Sequence, residues 1–261
     1  MNLHMLFKCR TVPSMGLSVT ELRSRLAELG LNINLSGGRL SYLPNWKPQS
    51  FSYHLIYVRH GETRGNTLGV FQGNVDAELN QLNEQGERQK LAAAQLLLRK
   101  LEAQLNVASE SQNMAVVVSP LTRAVQTAMA FVGAVRWTYD LALSVAVERL
   151  ATEISFGDWE NTSSENAGPL DRQQMHLYQA CNALVKPPAG ESFAELVLRQ
   201  HQLLHMLEAR YAGKTVVLFA HGTAGGSIRV LRHDPTMLDE AGLVNWRDKN
   251  FLPHATPVDL F

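Results

Sequence analysis

The chain has 261 residues, 45% of them hydrophobic and 18% charged, which is too apolar for a disordered polymer and ordinary for a globular enzyme. Its 24 basic and 24 acidic residues cancel, so no global field draws it to nucleic acid or to an anionic membrane, and any anion site must be local. Two isolated cysteines, Cys9 and Cys181, make neither a disulfide framework nor a zinc motif, and no apolar run reaches the length of a membrane span.

Residues 1–18 lack the apolar core of a secretory signal, so a cytoplasmic location is expected. Leucines at 22, 26 and 29 predict a helix over 19–29, with Ser18 as N-cap and Gly30 as stop. Residues 31–42 alternate apolar and polar on both sides of Gly37-Gly38, a hairpin pattern, and the prolines of 43–52 read as a linker. Residues 1–50 are therefore expected to form a helix-plus-hairpin extension, with the linker beginning at about 43. Its Leu-rich helix and Gly-Gly-Arg-Leu turn resemble the helix–hairpin docking domains of peptide-synthetase assembly lines. That implies a protein partner or self-association, and the alternative is an extension that packs on the main domain.

Residues 51–261 are expected to be the catalytic domain. Strands and helices alternate there, which predicts a three-layer α/β/α sandwich with a mostly parallel central sheet. Strands are predicted at 55–59, 115–118, 143–148 and 215–220, with a last edge strand at 257–261. Helices are predicted over 84–105, 122–132, 192–211 and 224–231.

Three strand ends carry polar residues: Arg59-His60-Gly61, Ser119 through Arg123, and His221-Gly222. In such sheets the carboxyl ends of strands converge at the ligand edge. Two arginines and two histidines repel unless a multiply charged anion lies between them, and guanidinium forks match the oxygens of phosphate.

Residues 58–73, VRHGETRGNTLGVFQG, resemble the signature of the histidine phosphatase (phosphoglycerate-mutase-like) superfamily. SPLTRAVQTA at 119–128, LATEISFGDWE at 150–160, PPAGESF at 187–193 and Ala220-His221-Gly222 are similar to its later motifs, in the same order. The resemblance implies that His60 is the nucleophile that becomes phosphorylated and that Glu153 is the general acid and base. Arg59, Arg123 and His221 would clamp the phosphoryl oxygens. Gly61 would let the backbone approach, Asn66 would bind the same group, and Gln72 and Gly73 would line the mouth with Gly222 and Thr223. Thr223 reads as a helix cap.

No metal or other cofactor is implied, because arginines supply the positive charge a metal otherwise would. The expected reaction is hydrolysis of a small phosphorylated metabolite. Mutase members carry extra segments between the acid and the last histidine, and this chain does not. The alternatives are a mutase-type phosphoryl transferase, a non-catalytic phospho-ligand or partner-binding module, and a metal-dependent hydrolase built on histidines. For the last, His201 and His205 have helical metal-pair spacing but no third ligand in view. Glu148 and Glu160 compete with Glu153 for the acid, Glu62 reads as orienting its neighbours, and Trp159 as core or pocket wall. Asn161 stands where the family has glycine after Trp-Glu, the 76–86 loop is a few residues longer than is typical of the family, and Gly225-Gly226 follows the last motif. His233 and His254 receive no role.

Overall fold

The computed structural model describes residues 16–30, 33–44, 49–107, 113–247 and 252–261. Cys9 and the 45–48 part of the expected linker lie outside them.

Helix α1 (Val19–Glu28) opens on a reciprocal cap: the Ser18 hydroxyl accepts from Glu21 N, and the Glu21 carboxylate accepts the Ser18 N–H. Its buried face is Leu22 and Leu26. Strands β1 (Ile33–Ser36) and β2 (Arg39–Tyr42) pair antiparallel, with Gly37 and Gly38 both at positive φ in the turn. A side chain at Gly38 would overlap Asn182, because the turn is pressed against the main domain, where Ala183 N donates to Gly38 O at 2.7 Å. Val244 N donates to Leu40 O at 2.8 Å, and Arg39 pairs with Asp239 at 2.9 Å. Leu22, Leu26, Ile33, Leu35 and Leu40 join the apolar cluster that includes Met175, Tyr178 and Leu204. The apolar faces of helix and hairpin are thus covered by the chain itself.

Strand β3 (His54–Arg59) follows, then the short α2 (Arg64–Thr67), α3 (Glu84–Lys100) and α4 (Glu102–Asn106). The helix predicted over 84–105 is two pieces, divided at Leu101 with φ −107° and ψ 10°. Strand β4 (Met114–Val118) leads into α5 (Thr122–Tyr139), which runs past the predicted 132 because Val135 adds buried surface, and stops on left-handed Asp140. Strand β5 (Val145–Val147) is shorter than predicted and half exposed, as an edge strand paired only to β4.

Helix α6 (Pro169–Gln179) was not predicted. Proline stands in its first turn, but its Asp-Arg-Gln-Gln interior is polar and only Met175 and Tyr178 are buried. Helix α7 (Phe193–Tyr211), strand β6 (Thr215–Ala220), helix α8 (Gly222–Leu231) and strand β7 (Pro257–Asp259) complete the chain.

The sheet order is β5-β4-β6-β3-β7, parallel except for β7. Two apolar clusters cover its faces, one built with α3, α4 and α5, the other with α1, α6, α7 and α8. That is the expected three-layer sandwich. Parallel β3, β4 and β6 deliver Arg59, Val118 and Ala220 to one edge, and the next residues of each form the site.

Candidate active site

At this edge lies a cavity of about 770 Å³ whose wall includes Arg59, His60, Asn66, Gln72, Gly73, Arg123, Glu153, Gly222 and Thr223. His60 Nδ1 lies 2.7 Å from Gly61 O. A carbonyl only accepts, so Nδ1 carries the proton and Nε2 keeps its lone pair. Burial, then the guanidinium groups of Arg123 and Arg59, push the imidazole well below its usual 6.5, which keeps it neutral.

His221 is fully buried, its ring 5.3 Å from that of His60. The Tyr57 hydroxyl donates to His221 O at 2.6 Å and accepts from His221 N at 3.0 Å. The ring nitrogen Nε2 is held by Ser119 Oγ at 2.7 Å, while Nδ1 has no partner. Ser119, at the end of β4, thus fixes the His221 ring through Nε2, and His221 itself is fully buried and not among the residues that line the cavity.

Arg123, on the first turn of α5, is 1% exposed, and its Nη2 donates to Gly73 O at 2.7 Å. Burial draws its pKa down to about 10, so it stays charged near neutrality. Gly73 has φ +55°, and a side chain there would overlap Glu160, so glycine is what lets this loop present its carbonyl to Arg123. Arg59 anchors one nitrogen on Leu252 O at 3.2 Å, and a side chain at Gly222 would crowd its guanidinium at 3.2 Å.

Glu153 follows a single 3₁₀ turn and lines the cavity, whereas Glu148 and Glu160 do not. Glu148 caps that turn, and Glu160 accepts from Asn74 N and Phe156 N. The Glu153 carboxylate accepts from Thr223 N at 3.0 Å, Ala224 N at 2.9 Å and Ile154 N at 2.9 Å. It is seated at the start of α8, whose partial positive charge favours it.

Other site residues differ in detail from the sequence reading. Gly61 faces Gly86 rather than the cavity: an added side chain would meet Gly86 O at 2.6 Å, so this glycine lets β3 and α3 approach. Thr223 is not the helix cap, since His221 holds that position and Thr223 gives its N–H to Glu153. Asn66 ends a cap with Thr63, its Oδ1 accepting from Thr63 N at 3.1 Å. Gln72 Oε1 accepts from Thr63 Oγ1 and Asn80 Nδ2, which leaves its amide NH₂ end for the cavity. Glu62 orients Gln89 and Asn83, and Trp159 is core, bonded to Asp171. Asn161 takes φ +59°, which explains why glycine suits the position and why asparagine serves. A side chain at Gly225 would strike Leu252 and Tyr57.

Sequence reasoning missed one wall. Gln179 at the end of α6 and Trp246, Arg247, Leu252, Pro253, His254 and Thr256 near the C-terminus also line the cavity. Arg247 lies over the Tyr178 ring at 5.3 Å. The His254 ring is 5.8 Å from that of His60, its Nε2 is buried without a partner, and burial and Arg59 hold its pKa down to about 3. No local motif announces these residues, because tertiary packing alone brings them to the cavity.

His201 and His205 do meet, Nε2 to Nε2 at 3.0 Å, with Gln49 at 3.2 Å from His201. Among the described residues no group of three or more His, Cys, Asp or Glu side chains could hold a metal ion.

Two arginines and two neutral histidines at the carboxyl edge of a parallel sheet make a site for a tetrahedral anion. Residues 55–245 match the histidine phosphatase superfamily (branch 1), and the chain belongs to that superfamily. It is 31% identical over 266 residues to a mannitol-1-phosphatase of Eimeria tenella, covering 89% of this chain and 82% of that protein. Residues 55–261 make up less than 89% of the chain, so that likeness reaches into the N-terminal segment. A metal-independent phosphoserine phosphatase of Arabidopsis thaliana is 26% identical over 196 residues, 75% of this chain and 74% of that protein. Among solved structures, a mycobacterial glucosyl-3-phosphoglycerate phosphatase complexed with VO3 is similar with a TM-score of 0.57 and 25% identity, over 79% of this chain and 92% of that one.

Proposed function

We propose that the protein is a phosphomonoesterase that hydrolyses a small phosphorylated metabolite through a phosphohistidine on His60. The observation that carries this reading is the bond from His60 Nδ1 to Gly61 O, which leaves Nε2 as a neutral nucleophile at a cavity lined by the buried Arg123 and the half-buried Arg59. Nε2 attacks phosphorus in line as the bond to the leaving oxygen breaks, and that oxygen takes a proton from Glu153. Glu153 then removes a proton from water, whose oxygen attacks phosphorus, breaks the N–P bond and releases inorganic phosphate with His60 restored. To act as acid, Glu153 takes a proton on Oε2 and gives up the Thr223 N–H, now at 3.0 Å. Arg59, Arg123, His221 and Asn66 hold the non-bridging oxygens, whose charge shifts during transfer. The arginines supply the charge a metal would, so no metal is assigned.

The favoured substrate is a sugar-alcohol phosphate. The relative that spans the N-terminal segment as well is named for mannitol 1-phosphate, and the wall beyond the clamp offers Gln89, Gln179, Thr256 and Arg247 as partners for hydroxyls. The mutase reading has less support, since the similar proteins are named as phosphatases; between Glu153 and His221 the chain forms short turns, α6, α7 and β6, and α6 brings Gln179 to the cavity wall. The β1–β2 hairpin is proposed to brace this wall, through Gly38 against the loop after α6, rather than to dock a partner. A cytoplasmic location is proposed on the sequence; among the described residues no helix is long and apolar enough to cross a membrane.

The test is kcat/KM on mannitol 1-phosphate, O-phosphoserine, 3-phosphoglycerate and p-nitrophenyl phosphate, with and without EDTA. Phosphate release that is fastest from the sugar alcohol and indifferent to EDTA is expected. Transfer between substrates without phosphate release, or loss with EDTA, would overturn the reading.

A further inference from the structure

Glu153 belongs to no strand or helix. It lies between the 3₁₀ turn Arg149–Ala151 and an irregular stretch, so beyond the N–H groups of Thr223, Ala224 and Ile154 its placement depends on whatever holds that backbone. One side chain does most of the holding. Arg199, on α7, is 3% exposed, and every N–H of its guanidinium is used. Nη1 donates to Leu150 O at 2.7 Å and Thr152 O at 3.0 Å, and Nη2 donates to Glu153 O at 3.1 Å. Nε and the second Nη2 hydrogen grip the Glu191 carboxylate at 2.9 and 2.8 Å. Gln200, the next residue, also donates to Leu150 O, at 2.7 Å.

The far side of Glu153 is tied to the same pair, because Glu191 N donates to Ser155 O at 2.8 Å. An added side chain at Gly190 would meet Ser155 O at 2.8 Å, so the two loops run in close contact. A buried guanidinium needs an anion, and Glu191 supplies it within the bracket. Only the planar fork of arginine reaches three carbonyls and a carboxylate at once; a lysine ammonium has three donors radiating from one point.

We propose that the Arg199–Glu191 pair positions the proton donor: it fixes the 150–155 backbone so that the Glu153 carboxyl meets the leaving oxygen. The proposal rests on the reading of Glu153 as the acid. It assigns Arg199 no contact with substrate, and the plainer alternative is an ion pair that only stabilises the fold.

Leaving groups separate the two. An alkyl ester such as glycerol 2-phosphate needs a proton on its departing oxygen, whereas p-nitrophenolate leaves without one. The quantity to measure is the ratio of kcat/KM on the two esters for wild type, Arg199→Lys, Glu191→Gln and Glu153→Gln. A partly unfolded preparation lowers both rates alike and leaves the ratio untouched. Glu153→Gln is expected to lose roughly 100-fold on the alkyl ester and no more than about 3-fold on the aryl ester. Arg199→Lys should lose about 10-fold and about 3-fold or less respectively, and the milder Glu191→Gln should shift the ratio the same way. An unchanged ratio in Arg199→Lys and Glu191→Gln, beside a shifted one in Glu153→Gln, would overturn the proposal. An unchanged ratio in Glu153→Gln would remove the acid assignment itself, and the proposal with it.

Discussion

The cavity has two walls built in different ways. On the clamp side, His60, Arg123 and His221 stand at or just past the ends of β3, β4 and β6, and each is pinned by a bond to Gly61, Gly73 or Ser119. On the other wall Arg247, His254 and Gln179 come from the end of α6 and from the segment before β7, with His254 adjoining the clamp at His60. The first wall is held by sheet geometry and serves a group every phosphate ester shares. The second is held by packing on Tyr178 and on the C-terminal segment. On the proposed function it would meet the part of the substrate that varies, so that chemistry and selectivity would be carried by different parts of the chain.

Substitutions should separate the walls. Arg123→Ala removes a buried charge from the transferring group and should lower kcat/KM by roughly 100- to 1000-fold on alkyl and aryl esters alike. Steady-state assays on both esters test this, and a loss confined to one ester would place Arg123 on the wrong wall. Arg247→Ala should raise KM for the preferred sugar-alcohol phosphate by about 10-fold and leave p-nitrophenyl phosphate unchanged. Equal effects on both esters would erase the proposed division.

The smallest effect is on pH dependence. His60 and His221 are held well below 6.5, His201 at about 4 and His254 at about 3, burial being the main cause in each. The unfolded chain takes protons on these rings below about 6.5 while the folded chain does not, so stability is lost as pH falls below that value. Denaturant midpoints between pH 7.5 and 5 should decline, and His254→Gln should shallow the decline. The acid limb of kcat/KM should also lie well below 6.5. A limb at 6.5 would mean that His60 titrates like a solvated histidine.

What was legible in the sequence follows the same division. Runs such as Thr215–Ala220 declare buried strands, and the residues that end them are local, so the clamp could be placed before any coordinates. Helix α6 hid behind a polar interior, and Arg247 and His254 occupy the cavity only because distant segments pack there. Gly73 lines the cavity as its motif implies and Gly61 does not, and the space at each is set by Glu160 and Gly86, neighbours that only the fold supplies. Glu153 could be chosen among three glutamates from its motif, but the Arg199 bracket around it has no local trace.

The central claim is that phosphate passes through His60. Quenching turnover of a labelled substrate in base should trap an acid-labile, base-stable phosphoryl group on the wild-type chain. His60→Ala should trap none and lose roughly 1000-fold or more in kcat. Label that persists in His60→Ala, or undiminished turnover by it, would contradict the account.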